Sequence, residues 1–109
     1  LLLEVDLINL EDPLQRMKEL QTLGIKAFSF HIPIDVQKRR SVGAELLLGK
    51  LRTLDKNGSI ISVAGGLNPD RIKLFKDTNV KVFVVGGYIT SSSDFSGKIR
   101  SVLSVLKEL

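Results

Sequence analysis

Two glycine doublets, Gly65-Gly66 and Gly86-Gly87, each follow an apolar β-branched run, Ile60-Ile61-Ser62-Val63-Ala64 and Val82-Phe83-Val84-Val85. Glycine lets backbone approach a ligand with no Cβ in the way, and consecutive N–H groups at strand ends, backed by helix N-termini, favour an anion. Two such turns one repeat apart are placed to grip one phosphate from two sides; the plain alternative is a pair of tight strand exits with no ligand. His31, the single histidine, closes the run Ala27-Phe28-Ser29-Phe30. There it could carry a proton near neutral pH, or simply end a strand with its hydrogen bond satisfied. Asp6 interrupts Val5 and Leu7, and a carboxylate inside an apolar strand requires a partner, either at a functional site or among loop N–H groups around a buried structural acid. Asp35 and Gln37, just past His31, fit turn formation or capping as well as chemistry. One histidine and scattered carboxylates make no metal cluster by spacing, so no metal ligand is assigned to this chain.

These residues must be positioned by four β-α units. Strand one is expected at about Leu2 to Ile8, followed by Asp12 as N-cap and Pro13 at the first helical position. Leu14, Met17, Leu20 and Leu23 form one apolar stripe, and Gly24 is placed to stop that helix. Strand two runs from about Lys26 to Ile32, and a charged loop leads to a helix over Ala44 to Leu54, ended by Asn57-Gly58. Strand three carries the first glycine doublet. Asn68-Pro69 repeats the cap-plus-proline device before a short helix with Ile72 and Phe75 inward. Strand four, about Lys81 to Val85, carries the second doublet, and a last helix begins near Asp94 and runs through Ile99, Val102, Leu103 and Leu106.

At 109 residues and 43% hydrophobic, the chain has room for one domain with a modest core. Zero cysteines exclude disulfides and thiolate catalysis and fit a cytoplasmic protein. No apolar stretch reaches the roughly 18 residues that span a bilayer, so no membrane is expected. A net charge of +4 invites a test for nucleic acid, but Lys38-Arg39-Arg40 has no interleaved aromatics and the chain has one Tyr and no Trp on which bases could stack. No nucleic-acid partner is expected. The absent initiator methionine and the abrupt Leu1-Leu2-Leu3 suggest a chain cut from something longer.

Three strands are almost continuously apolar, which predicts an α/β protein with parallel strands, open and doubly wound or closed as a barrel. Four units are half of a (β/α)8 barrel, where sites form at the C-terminal strand ends; Asp6, His31, Asp35 and both doublets fall there. A half barrel alone would leave a row of inward side chains without partners, so the chain is expected to join a missing N-terminal half or a second copy, as a homodimer.

The order Glu4-Val5-Asp6-Leu7-Ile8, Asp12-Pro13, Leu23-Gly24, His31 with Asp35-Val36-Gln37, Val63-Ala64-Gly65-Gly66-Leu67 and Val84-Val85-Gly86-Gly87-Tyr88-Ile89 resembles hexulose-6-phosphate synthase. It is similar, a little less closely, to 3-keto-L-gulonate-6-phosphate decarboxylase, also of the orotidine monophosphate decarboxylase superfamily. Essentially the whole chain takes part, aligned with strands five to eight of that barrel, its C-terminal half. The resemblance implies a phosphosugar lyase working through a Mg²⁺-stabilised enediolate, with the main metal ligands in the other half. A synthase adds formaldehyde to ribulose 5-phosphate; the decarboxylase releases CO₂ from a keto-sugar acid phosphate. By position Gly65, Gly66, Gly86 and Gly87 match phosphate-binding turns, His31 the histidine near the reacting carbons, and Asp6 the acid at the end of the fifth strand.

The chain departs from the pattern in several places, and between the two activities its residues favour the synthase. The family's Asp-x-Lys-x-x-Asp motif is absent, and Asp70, Lys73 and Asp77 do not fit it. Ile32-Pro33-Ile34 follows His31 where the decarboxylases carry an arginine and the synthases a small residue and an aromatic. Gly87 stands where the decarboxylases place an arginine on phosphate, and Phe95 replaces a common proline. The alternatives are a decarboxylase-like carboxy-lyase and a non-catalytic α/β module that associates through its open sheet.

Overall fold

The computed structural model describes residues 1–31, 48–52 and 58–109. Four strands, β1 (Glu4–Asp6), β2 (Ala27–His31), β3 (Ile60–Ala64) and β4 (Val80–Phe83), form one sheet in the order β1-β2-β3-β4. Every neighbouring pair is parallel. Strand order therefore follows chain order with no reversal, which is the winding of a barrel rather than of a doubly wound sheet.

The helices are α1 (Pro13–Gln21), α2 (Pro69–Lys73), α3 (Gly87–Thr90) and α4 (Phe95–Glu108), and residues 48–52 are also helical. Both proline-led starts form as the side chains dictate. Asp12 Oδ1 accepts from the Gln15 N–H at 3.1 Å, and Asn68 Oδ1 from the Arg71 N–H at 2.9 Å. Each cap satisfies an N–H that the first turn leaves without a partner. Asp94 caps α4 the same way, accepting from the Gly97 N–H at 3.1 Å.

Side chains alternate along a strand, and here the alternation separates two unlike faces. Phe28, Phe30, Ile61 and Val63 share one buried cluster with Met17 of α1, Leu48 and Leu51, Ile72 of α2, Phe75, and Val102 and Val105 of α4. These helices thus cover the same face of the sheet. Phe75 meets Phe83 edge to face, with ring centroids 5.7 Å apart. A register shift between Ile61 and Ser62 places an extra β4 residue opposite them, so that Val80 and Phe83, three positions apart, both pack on the core.

The other face carries Glu4, Asp6, Ala27, Ser29, His31, Ser62 and Ala64, with Val82 and Val84 exposed at its β4 edge. Of the inward row expected to lie without partners, Val82 and Val84 are the large apolar side chains that stand exposed. Ala27, Ser29, Ser62 and Ala64 on this face are small enough to be buried between their neighbours, at 1%, 8%, 2% and 7% exposure, and Ile60 shares the face with them. Serine and glutamate also find each other across the sheet: Ser62 Oγ donates to Glu4 Oε1 at 2.5 Å.

Several boundaries shift. Strand one is confined to Glu4–Asp6, and Asn9 beyond it turns the chain at φ 63°. Leu23 is 78% exposed, because α1 ends at Gln21 and Leu23 lies in the turn that Gly24 closes at φ 91°. The expected helix over Ala44 to Leu54 is seen only at residues 48–52; the remainder lies outside the described residues. Of the stripe expected on the last helix, Val102 is buried while Ile99, Leu103 and Leu106 are exposed, joined by Phe95.

Candidate functional site

Four parallel strands bring every candidate within the described residues to one rim. Asp6 is the last residue of β1, His31 the last of β2, Gly65-Gly66 follow β3, and Gly86-Gly87 lie just past the end of β4. Register fixes the neighbours: Asp6 pairs with Ser29 and His31 with Ala64, so His31 stands beside the residue that precedes the first doublet. The Val84 N–H donates to the Val63 carbonyl at 2.9 Å, extending the ladder toward the second doublet. Asp35 lies outside the described residues.

His31 and Asp6 form a pair. Nε2 of His31 is 3.3 Å from Asp6 Oδ2, with the two side chains 30% and 53% exposed. Asp6 Oδ1 meanwhile accepts from the Ile8 N–H at 3.0 Å, which holds the carboxylate at the strand end. Asp6 is therefore not a buried structural acid; it is half exposed and splits its oxygens between a loop amide and the imidazole. An imidazole beside a carboxylate on the open side of a rim can accept or deliver a proton to a bound molecule, its orientation set by the acid.

The two doublets differ in backbone. Gly65 at φ 109° and Gly66 at φ 60° occupy the region that side chains disfavour, so this turn needs glycine for its own shape. Gly86 at φ −111° caps α3, and Gly87 begins it, a helix of four residues that sequence periodicity gave no sign of. A Cβ on Gly86 would meet nothing within 4 Å, and one on Gly87 only Ser91 Oγ at 3.8 Å. Packing alone does not require glycine at these two positions.

Three further contacts, not evident from sequence, surround the first glycine turn, link the last two helices and cross the open face of the sheet. Arg71 Nη1 donates to the Gly66 carbonyl at 2.6 Å. Lys98 Nζ lies 4.4 Å from the centre of the Tyr88 ring, linking α4 to α3. Glu4 and Ser62 are joined across the open face. The spacing of Glu4 and Asp6, two apart in a strand, was a signal for a shared polar face; an arginine three residues past a capping asparagine carries none.

The magnesium implied by the resemblance finds no ligand set here. Among the described residues no three His, Cys, Asp or Glu side chains come together, and the pair at the rim, Asp6 and His31, face each other. Asp70 and Lys73, both with exposed side chains, approach to 4.0 Å within the single helix α2. No helix among the described residues is long and apolar enough to cross a membrane.

No family model matches the chain. It is 35% identical over 90 residues to 3-hexulose-6-phosphate synthase 1 of Staphylococcus saprophyticus, covering 83% of this chain and 42% of that one. Among solved structures it superposes on KGPDC from Streptococcus mutans with a TM-score of 0.77 and 27% identity, over 98% of this chain and 49% of that one. The 3-hexulose-6-phosphate synthase from Salmonella typhimurium gives a TM-score of 0.73 at 27% identity, over 98% and 50%. The chain spans half or less of the length of these relatives, and four parallel β-α units are half of their barrel.

Proposed function

We propose that this chain, homologous over its length to hexulose-6-phosphate synthase and KGPDC, supplies the C-terminal, phosphate-binding half of a phosphosugar lyase of the synthase type. Main-chain N–H groups of Gly65, Gly66, Gly86 and Gly87 would hold the substrate phosphate, and the His31–Asp6 pair would stand near the reacting carbons. The observation that carries this is the gathering of both doublets and the pair on one rim of a consecutively ordered parallel sheet. Phosphate bound by fixed dipoles at β3 and β4 orients the sugar along the rim, toward β2 and β1, so that its carbonyl end meets the imidazole. His31, oriented by Asp6, then exchanges a proton with the carbon next to the carbonyl or with its oxygen, the step that makes an enediolate. In the synthase direction the enediolate carbon bonds to formaldehyde, whose oxygen takes up a proton. No step is assigned to a metal, because the described residues do not form a site for one.

A substrate of this kind suits a cytoplasmic setting, as does a chain without cysteine. The synthase is favoured over a carboxy-lyase by Gly87, which leaves the phosphate turn without an arginine, and by the identity to the Staphylococcus saprophyticus enzyme. The partner is an N-terminal half barrel or a second copy, as a homodimer, and the isolated chain is expected to bind phosphosugar weakly and to catalyse nothing. Titrating the chain with ribulose 5-phosphate and, separately, with ribulose, while following backbone amides by NMR, tests the proposal. The phosphorylated sugar is expected to shift Gly66 and Gly87 together; equal indifference to both sugars would leave only an association module.

A further inference from the structure

We propose that Arg71 is the positioning residue of the first glycine turn, fixing the peptide between Gly66 and Leu67 so that the Leu67 N–H is presented to phosphate. The proposal rests on the phosphate grip described above and deepens it. Gly65 and Gly66 both have positive φ, and a turn made of two such residues can flip the following peptide at little cost. Flipping would turn a carbonyl, and not an N–H, toward an approaching anion. Arg71 opposes this directly: its Nη1 lies 2.6 Å from the Gly66 oxygen.

Geometry carries the consequence across the peptide. No peptide bond in the described residues is cis, and in a planar trans unit the C=O and N–H point in opposite directions. Holding the Gly66 carbonyl on the guanidinium therefore aims the Leu67 N–H away from Arg71. Within the described residues no backbone acceptor takes that N–H. The Leu67 side chain, 3% exposed in the core, holds the far end of the same peptide. Arg71 is itself held where it must be, because its backbone N–H donates to the capping Asn68 Oδ1 and Pro69 starts α2 in register. One residue thus closes the segment from Gly66 to the first turn of α2 by its backbone and by its side chain.

The test is a titration of the whole chain with inorganic phosphate, followed at backbone amides, in wild type, Arg71→Met and Arg71→Lys. Wild type is expected to respond at Leu67 and Gly87. Arg71→Met should bind about tenfold more weakly, the scale of one hydrogen bond to a charged group, with the Leu67 response lost and the Gly87 response kept. Arg71→Lys, which retains a donor of similar reach, should recover most of the affinity. Because orientation is not screened, the deficit of Arg71→Met should persist at high salt. A variant that binds like wild type, or a deficit that vanishes at high salt as a direct charge effect would, overturns the role of Arg71 and leaves the phosphate grip standing. No response of wild type at either amide overturns both. If Arg71→Met does not give the dispersed spectrum of a folded chain, Arg71→Gln, polar but too short to reach Gly66, takes its place with the same outcomes.

Discussion

The imidazole–carboxylate pair is the most informative contact made by single side chains. It joins Asp6 and His31 at the ends of adjacent strands, and it turns two separately ambiguous residues into one arrangement. Gly87 offers the sharpest test at this scale. A Cβ there would touch only Ser91 Oγ at an ordinary 3.8 Å, so Gly87→Ala is expected to leave thermal stability unchanged. If the position exists for close approach of an anion, the same change should weaken phosphate binding by about tenfold or more, read by amide titration. Unchanged binding would mean that Gly87 is only the start of α3. Asp6, His31 and both doublets were legible in the sequence because each breaks a local pattern: a charge or an imidazole in an apolar strand, or paired glycines after one. Arg71 was not, since its role depends on where its side chain folds back, and Glu4 gains its partner from Ser62, 58 residues away.

At the level of elements, the helix starts were the clearest. Asp12-Pro13, Asn68-Pro69 and Asp94 each mark the residue that caps, because capping is a local bond between a side chain and an amide two or three residues ahead. Asp94→Ala should therefore cost about 1 kcal/mol in urea unfolding. Gly97→Ala should lose less, since a Cβ there would push the Asp94 carboxylate off its cap but replaces glycine by a better helix former. What the sequence did not disclose were features set by pairing. The register shift that lets Val80 and Phe83 share a face belongs to two strands at once, and the four-residue α3 is too short to show a period. Leu23 continued an apolar spacing beyond the end of its helix, where the turn at Gly24 had already redirected the chain.

For the whole molecule, the decisive feature is a sheet with two unlike faces, one packed under helices and the other with no helix over it among the described residues. The open face holds polar and small groups, but its β4 edge presents Val82 and Val84, and α4 exposes Phe95, Ile99, Leu103 and Leu106. On the half-barrel reading proposed above, these are the surfaces a further set of β-α units would cover. Val84→Glu should barely change the melting temperature of the isolated chain, because Val84 is already 52% exposed. Adding the N-terminal half of a relative should raise that temperature for wild type and not for the variant, since only a partner that binds the folded form stabilises it. An equal rise in both would place the contact elsewhere.

The consecutive order of the strands also bears on how the chain acquires its shape. Each strand finds its sheet neighbour in the unit made just before it, so no ladder waits for a distant part of the polypeptide. Loop-closure entropy is then met in modest instalments, and a nascent chain leaving the ribosome can lay down the sheet unit by unit.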